Sequence, residues 1–494
     1  MRVHLTATAV GMTLALAGCA NSGGLRPDGA PINPNSLAVN RTIANVEVSP
    51  AAWPKADWWT ALGDSQLNAL IGEALHDNPS LAEADARARQ AQSEASQADA
   101  DREPEVNVAG SVNEVRVPTT LPPIGKGHNR AAKYVDASFK WDLDLWGGER
   151  AAWEAALGRE RSAEVDAQAA RIELSTNVAR AYVQLGYAYA QQDVASAELE
   201  RAMDVRKLTQ QRVTAGIDSQ VQLKQSDSEA ASAQGQKARA DRAIDAAQSA
   251  LSVLLGKGPD RGLTIARPQL LPPGILQVPA NLPVELLGHR ADLVAARWRV
   301  EAAGKDIAAA KTQFLPNVNI SAMAGLIALG GGNLFTAQSR FYDAGPAISL
   351  PIFDGGRRRA DLNGKDAQYD LAVAQYNDTL VRAVNEVCDD NDALSSSQVQ
   401  IDAQQRALDA ANDAWALAEK RYKAGIGSYL EALSVRQELL IAQERMATLH
   451  AEQTDDSVQI IWALGGGYRP SRPAPDVSTV AADANSPSLI HHRS

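Results

Sequence analysis

Tyr134-Val135-Asp136-Ala137-Ser138-Phe139-Lys140-Trp141-Asp142-Leu143-Asp144-Leu145-Trp146 is the stretch on which the fold turns. Val135, Ala137, Phe139, Trp141, Leu143 and Leu145 alternate with Asp136, Ser138, Lys140, Asp142 and Asp144. A strict period of two over about eleven residues has the length of a membrane-crossing β-strand. One face is apolar with aromatics and the other charged, as for a strand set between lipid and a water-filled lumen. A soluble, half-buried strand gives the same alternation, so this segment alone leaves both readings open.

Three further segments read as strands less cleanly. Residues 105–117 alternate Val106, Val108 and Val112 with Asn107, Ser111 and Asn113, then shift phase to Val115 and Val117. In 316–329 the run from Val318 to Leu329 is apolar at nearly every position. In 342–353, Ala344, Ile348, Leu350 and Ile352 alternate, but Pro346 and Pro351 interrupt them and indicate a strand near an edge or interface. The connections from Pro118 to Arg130 and from Gly330 to Arg340 are rich in Gly and Pro and are expected to face outward.

The chain repeats itself. Arg212-Val213-Thr214-Ala215-Gly216-Ile217-Asp218-Ser219 returns about 209 residues later as Arg421-Tyr422-Lys423-Ala424-Gly425-Ile426-Gly427-Ser428, and Leu255-Gly256 returns as Leu464-Gly465. Upstream, Pro104-Glu105-Val106-Asn107 resembles Pro316-Asn317-Val318-Asn319. A period this long implies a duplicated structural plan rather than a solenoid.

Between the strands and the repeated turn, each half is helical. No proline occurs from Gly148 to Gly258 or from Ile352 to Arg469, and Ala, Gln, Glu, Arg and Leu, all good helix formers, abound. Each Ala-Gly-Ile turn fits a left-handed cap after one helix, with Asp218 or Ser428 opening the next. From Arg357 to Tyr422 the helix would run about 100 Å at 1.5 Å per residue. Val373, Leu380, Val387, Leu394, Ile401, Leu408, Trp415 and Tyr422 recur every seventh position, a seam that demands a supercoiled partner. Gln192 and Arg206 interrupt the matching seam of Val178, Leu185, Leu199 and Val213.

The ends and composition narrow the function. Residues 1–18 read as a secretory leader whose apolar run, Val10 to Ala17, is too short to span a bilayer. Leu16-Ala17-Gly18-Cys19 resembles the bacterial lipobox, which implies a covalent lipid of palmitate type on Cys19, and Ala20 after it implies the outer membrane. An ordinary leader with an incidental cysteine is the alternative. Cys388 is the only other cysteine, so no disulfide framework exists, and it reads as an inert buried residue. A net charge of −11, or −12 once Arg2 leaves with the leader, argues against nucleic-acid partners. Scattered histidines show no metal-ligand spacing, and no nucleophile elbow or phosphate loop appears, so no cofactor beyond the lipid and no enzymatic activity are expected.

The organisation expected is thus a leader 1–18, a lipid-anchored linker 19–59, a first repeat 60–258 with strands 105–117 and 134–146 and a tip at 215–219, and a Pro-rich linker 259–289 that wraps the middle of the helices. A second repeat 290–468 follows, with strands 316–329 and 342–353 and a tip at 424–428, then a disordered tail 469–494. Lipid does not tolerate open sheet edges, and four strands cannot close a barrel. The chain must therefore oligomerise, as an eight-stranded dimer or a twelve-stranded trimer, of which the trimer leaves a useful pore.

Strand pairs and long helical hairpins, duplicated behind a lipobox, resemble the TolC-like outer membrane factor family in its lipidated NodT/OprM-type branch. Trp58-Trp59, Leu62-Gly63-Asp64, Leu67 and Leu70-Ile71 resemble its opening helix, and Asp144-Leu145-Trp146-Gly147-Gly148 and Pro351-Ile352-Phe353-Asp354-Gly355-Gly356 its strand-to-helix junctions. Arg421-Tyr422-Lys423-Ala424-Gly425 resembles its periplasmic tip. The resemblance implies an α+β membrane protein: a homotrimer with a twelve-stranded outer-membrane barrel continued by a periplasmic helical barrel. It further implies an exit duct served by a periplasmic adaptor and an inner-membrane pump of the RND type. For the tip it implies a gate, with Glu431 lining the entrance, Leu430 as apolar constriction, Ser434 where many relatives carry aspartate, and Asp218 as a further acidic candidate. Ala215, Gly216, Ser219, Ala424, Gly425 and Ser428 are the expected adaptor-docking residues. A periplasmic adaptor lipoprotein, with one hairpin between lipoyl-like domains, is the competing reading.

Overall fold

The computed structural model describes residues 24–37, 53–116, 118, 129–269, 282–470 and 477. The leader, Cys19, most of the loop after Pro118, part of the Pro-rich linker and most of the tail lie outside the described residues.

Each half is built from the same parts in the same order. In the first, α1 (Ser65–Asp77) and α2 (Pro79–Ala100) precede β1 (Glu105–Arg116) and β2 (Asn129–Leu143), followed by α3 (Gly148–Thr214) and α4 (Gln220–Leu254). In the second, α5 (Leu282–His289) and α6 (Ala291–Thr312) precede β3 (Asn317–Leu329) and β4 (Arg340–Ser349), then α7 (Arg357–Lys423) and α8 (Tyr429–Ala463). The lengths repeat as well: α2 and α6 have 22 residues, α3 and α7 have 67, α4 and α8 have 35. A helix of that greatest length runs roughly 100 Å.

The helices lie side by side around α3, which packs against α2, α4, α6 and α8, while α7 packs against α6 and α8. Both long helices run unbroken, whereas their neighbours are stacked end to end. Asn78 Nδ2, at the start of α2, donates to the Leu254 carbonyl at 2.7 Å, and Lys257 pairs with Asp77 at 2.8 Å. At the second junction the buried Arg290 donates to the Ala463 carbonyl at 3.2 Å and pairs with Glu386 and Asp292. Core side chains concentrate beside these two junctions. One cluster joins Leu67, Leu70 and Ile71 to Val178, Tyr182, Leu185 and Leu251; the other joins Leu293, Val300 and Ile307 to Leu362, Tyr369, Val373 and Leu380.

The seven-residue seam is buried in this core at Val373, Leu380 and Val387, and again at Ile401 against Met446 and Leu449, and it opens toward the tip, where Tyr422 is exposed. The polar interruptions in the first half are matched across the hairpin. Gln192 donates to Asp241 at 2.7 Å, and Arg206 to Asp227 at 2.7 Å.

The linkers pack on the same helices. Gly29 N and Ile32 N donate to Asp370 and Asn377 of α7 at 2.6 and 2.8 Å. Trp53 stacks on His289, and Ala266 N donates to Gln66 at 3.0 Å. Val477, in the segment expected to be disordered, is buried against the α6–α7 core, because an apolar side chain there finds a groove to fill.

The four strands form one antiparallel sheet in the order β1-β2-β3-β4. β2 starts earlier than the alternation suggests and stops at Leu143, because Asp144 turns the chain and caps α3, accepting from Arg150 N at 2.8 Å. β4 ends at Ser349 rather than continuing to 353. Asp354 there caps α7 by accepting from Arg358 N at 3.2 Å, and it also accepts from Gly356 N at 3.0 Å.

Candidate functional site

The sheet register resolves what the sequence of the third strand hides. Asp136 lies opposite both Ala109 and Gly325, and Gly325 opposite Phe341; successive rows then fix every residue's face. One face carries Val106, Val108 and Val112, then Val135, Phe139 and Trp141, then Val318, Ile320 and Leu326, then Tyr342, Pro346 and Ile348. Its charged residues, Glu114, Arg116, Lys133 and Arg340, all sit at the end away from the helices. The opposite face carries Glu105, Asn107, Ser111, Asp136, Ser138, Lys140, Asp142, Asn319, Ser321 and Asp343. From Val135 to Leu143 the apolar band is roughly 26 Å long at 3.3 Å per residue, the scale of a lipid-facing strand. Valines on this face are exposed, 68% at Val106 and 77% at Val108, although nothing in a water-soluble sheet would keep them so.

β1 and β4 are the free edges, and Pro346, which has no N–H to give, sits in β4 as an edge position allows. No helix among the described residues is long and apolar enough to cross a membrane.

At the other end of the molecule lie the two hairpin tips. Gly216 and Gly425 both take φ 74°, the left-handed conformation that closes each long helix. Ser219 and Ser428 start the returning helices by accepting from the N–H three residues on, Gln222 at 3.4 Å and Glu431 at 3.0 Å. Ala215 and Ala424 are exposed. So are Ile217 and Ile426, at 64% and 73%, together with Val221 and Leu430. Both tips thus offer the same unpartnered apolar pair.

Their charges differ. In the first tip, Arg212 grips Asp218 with two hydrogen bonds of 2.7 and 3.0 Å, and that guanidinium lowers the carboxyl below its ordinary range. Gln222 reaches back to Ser219 N at 2.7 Å, completing a capping box. In the second tip, Gly427 occupies the position of Asp218 and Glu431 that of Gln222. The Glu431 carboxylate makes no hydrogen bond or ion pair among the described residues, and it lies exposed beside Gly427. The hydroxyl of Ser434 donates to the Glu431 carbonyl at 2.8 Å, inside its own helix.

Just above the tips, two side chains of α8 tie the hairpins together. Tyr429 donates to Asp204 of α3 at 3.2 Å, and Arg436 to Glu200 at 2.7 Å. Sequence reasoning missed this pair of links, since partners 225 and 236 positions apart are joined only by the packing of α8 on α3. Cys388 is buried, which raises its thiol. Among the described residues no cluster of His, Cys, Asp or Glu could hold a metal ion.

Comparison with known proteins agrees with this architecture. The family model "Outer membrane efflux protein" matches residues 70–257 and 282–466. The multidrug resistance outer membrane protein MdtP of Shigella flexneri is 30% identical over 479 residues, covering 94% of this chain and 96% of its own. The fusaric acid resistance protein FusA of Burkholderia cepacia is 34% identical over 374 residues, 74% of this chain and 69% of that one. The crystal structure of the outer membrane protein VceC of Vibrio cholerae is 36% identical, with a TM-score of 0.76, over 84% of this chain and 100% of that chain. Two long hairpins and a two-faced sheet favour the duct over the adaptor reading. The chain belongs to the outer membrane efflux protein family: it is an outer-membrane exit duct reaching into the periplasm, and not an enzyme.

Proposed function

We propose that three copies close β1 of one chain on β4 of the next into a twelve-stranded barrel, with the three pairs of hairpins forming a tunnel below it. The observation that carries this reading is the sheet itself, apolar on one face, polar on the other and unpaired at both edges. Cys19 carries the lipid anchor. The duct passes small solutes such as drugs from an inner-membrane pump of the RND type, through a periplasmic adaptor that docks on the tips at Ala215, Gly216, Ser219, Ala424, Gly425 and Ser428. The exposed Ile217 and Ile426 favour docking there, since each tip leaves apolar surface uncovered.

Glu431 and Leu430 form the gate, because three unpaired carboxylates around a narrow entrance attract cations. Asp218, already neutralised by Arg212, contributes less, and Ser434 supports the helix that carries Glu431. Single-channel recording of the purified protein, with its mass measured in the same detergent, tests the duct: a trimer with small cation-selective channels is expected, and a monomer without conductance would overturn it. Glu431→Gln should cut cation selectivity in the same recordings; unchanged selectivity would remove Glu431 from the gate. Gly425→Trp should abolish efflux while the trimer persists.

A further inference from the structure

The polar face of the sheet holds one cluster that the duct itself does not require. Tyr134 and Phe341 stack with ring centroids 5.7 Å apart, and the Tyr134 hydroxyl donates to the Met323 sulfur at 3.3 Å. They meet over Gly325, where any side chain would strike: a Cβ there would lie 2.8 Å from the Phe341 ring and 2.8 Å from Asp136 Cβ. The glycine therefore lets the rings settle directly onto Asp136, which is only 5% exposed. Its Oδ1 is buried with no hydrogen-bond partner, although the phenol of Tyr134 sits beside the carboxylate. Asp343, one row away on the same face, is exposed.

We propose that this cluster is a binding subsite for organic cations passing through the barrel. The proposal rests on the duct reading for the direction this face points. A cation is drawn to the face of an aromatic ring, and a carboxylate held beneath two rings strengthens that attraction. Met323 adds a polarisable side that accommodates varied shapes. A buried carboxylate oxygen without a partner is costly, and a cation on the outer face of the rings offsets part of that cost by attraction through space. The wider face has the same sign, with Glu105, Asp142 and Asp343 alongside Asp136 against Arg130 and Lys140. The chemical class selected is a flat or compact amphiphilic cation, since the rings offer area and the carboxylate offers charge.

The test is titration of ethidium, a flat aromatic cation, into the full-length detergent-solubilised protein, followed by fluorescence polarisation. Neutral phenanthridine serves as the uncharged competitor. Saturable ethidium binding is expected, weakened at least tenfold by Asp136→Asn and by Phe341→Leu, with phenanthridine failing to compete. Asp142→Asn, which removes a charge elsewhere on the face, should change binding less than twofold. Binding that is absent, indifferent to Asp136→Asn and Phe341→Leu, equally lowered by Asp142→Asn or displaced by phenanthridine would overturn the subsite. The measured mass of each variant shows whether it has folded and assembled, and Phe341→Leu retains the charge if Asp136→Asn fails to do so. Bilayer conductance reports separately on the duct: a protein that conducts but does not bind ethidium would overturn this subsite alone, whereas one that binds ethidium without conducting would overturn the duct and, with it, the placement of the site inside a lumen.

Discussion

At the scale of single residues, Asp390 is the group whose protonation the fold changes most usefully. Burial, with Glu386, Asp456 and Asp389 nearby, outweighs the guanidiniums of Arg290 and Arg180 and pushes its carboxyl up to about 6. The folded chain holds this proton more tightly than the unfolded chain, so the contribution to stability is fully present below the ordinary carboxylate range of about 4 and is lost as pH rises through 6. Asp390→Asn should therefore raise the thermal midpoint near pH 7 and flatten its pH dependence between about 4 and 7. Midpoints measured across that range decide it, and an unchanged slope would show that other carboxylates dominate. The glycines of the tips were legible without any structure, because a long helix that must reverse needs a left-handed residue after it, and only Gly216 and Gly425 stand there. The state of Glu431 was not legible. It follows from a comparison of two turns, one with Asp218 gripped by Arg212 and the other with Gly427 leaving the carboxylate alone.

At the scale of elements, the hydrogen bonds from Tyr429 to Asp204 and from Arg436 to Glu200 hold α8 against α3 immediately above the tips. If the proposed entrance widens by carrying α8 away from α3, both bonds break. Tyr429→Phe combined with Arg436→Gln should raise mean single-channel conductance several-fold while leaving the assembled mass unchanged; equal conductance would mean that the links are merely structural. The helices themselves were written plainly in the sequence, as proline-free stretches with a seven-residue seam. The strands were less so. β2 could be read because large apolar and charged residues alternate, whereas β3 fills its polar face with Ser321, Met323 and Gly325, too small or too neutral to mark a period. Register against β2 was needed to separate the two sides. Pairing of the capping carboxylates Asp144 and Asp354 with helix N–H groups likewise sets the strand ends, which alternation alone carries too far.

At the scale of the whole molecule, neighbouring positions of β3 should behave oppositely. Ala322 lies on the apolar face and Ser321 on the polar one. Ala322→Arg places a charge against lipid and should cost about 2–4 kcal/mol, seen as loss of assembled protein in the outer membrane. Ser321→Arg should assemble normally and lower cation conductance. If both variants assemble equally well, the faces have been assigned wrongly. The sequence carried the duplication and the need for several copies, since four strands close nothing. It could not carry the stacking of α2 on α4 and α6 on α8, which depends on Asn78 and Arg290 meeting helix ends far along the chain.

The near-identity of the two tips has a consequence for symmetry. In the proposed trimer, three chains with two alike halves would present six feet of nearly the same backbone shape to whatever stands below. Their charges would follow a coarser rule, since each chain carries one salt-locked foot and one that bears a bare carboxylate. A sixfold partner can seat on every foot, yet its subunits must then sit in two chemically distinct environments. A ring that reads shape alone would rotate by one foot without penalty, while one that reads charge is locked to every second position.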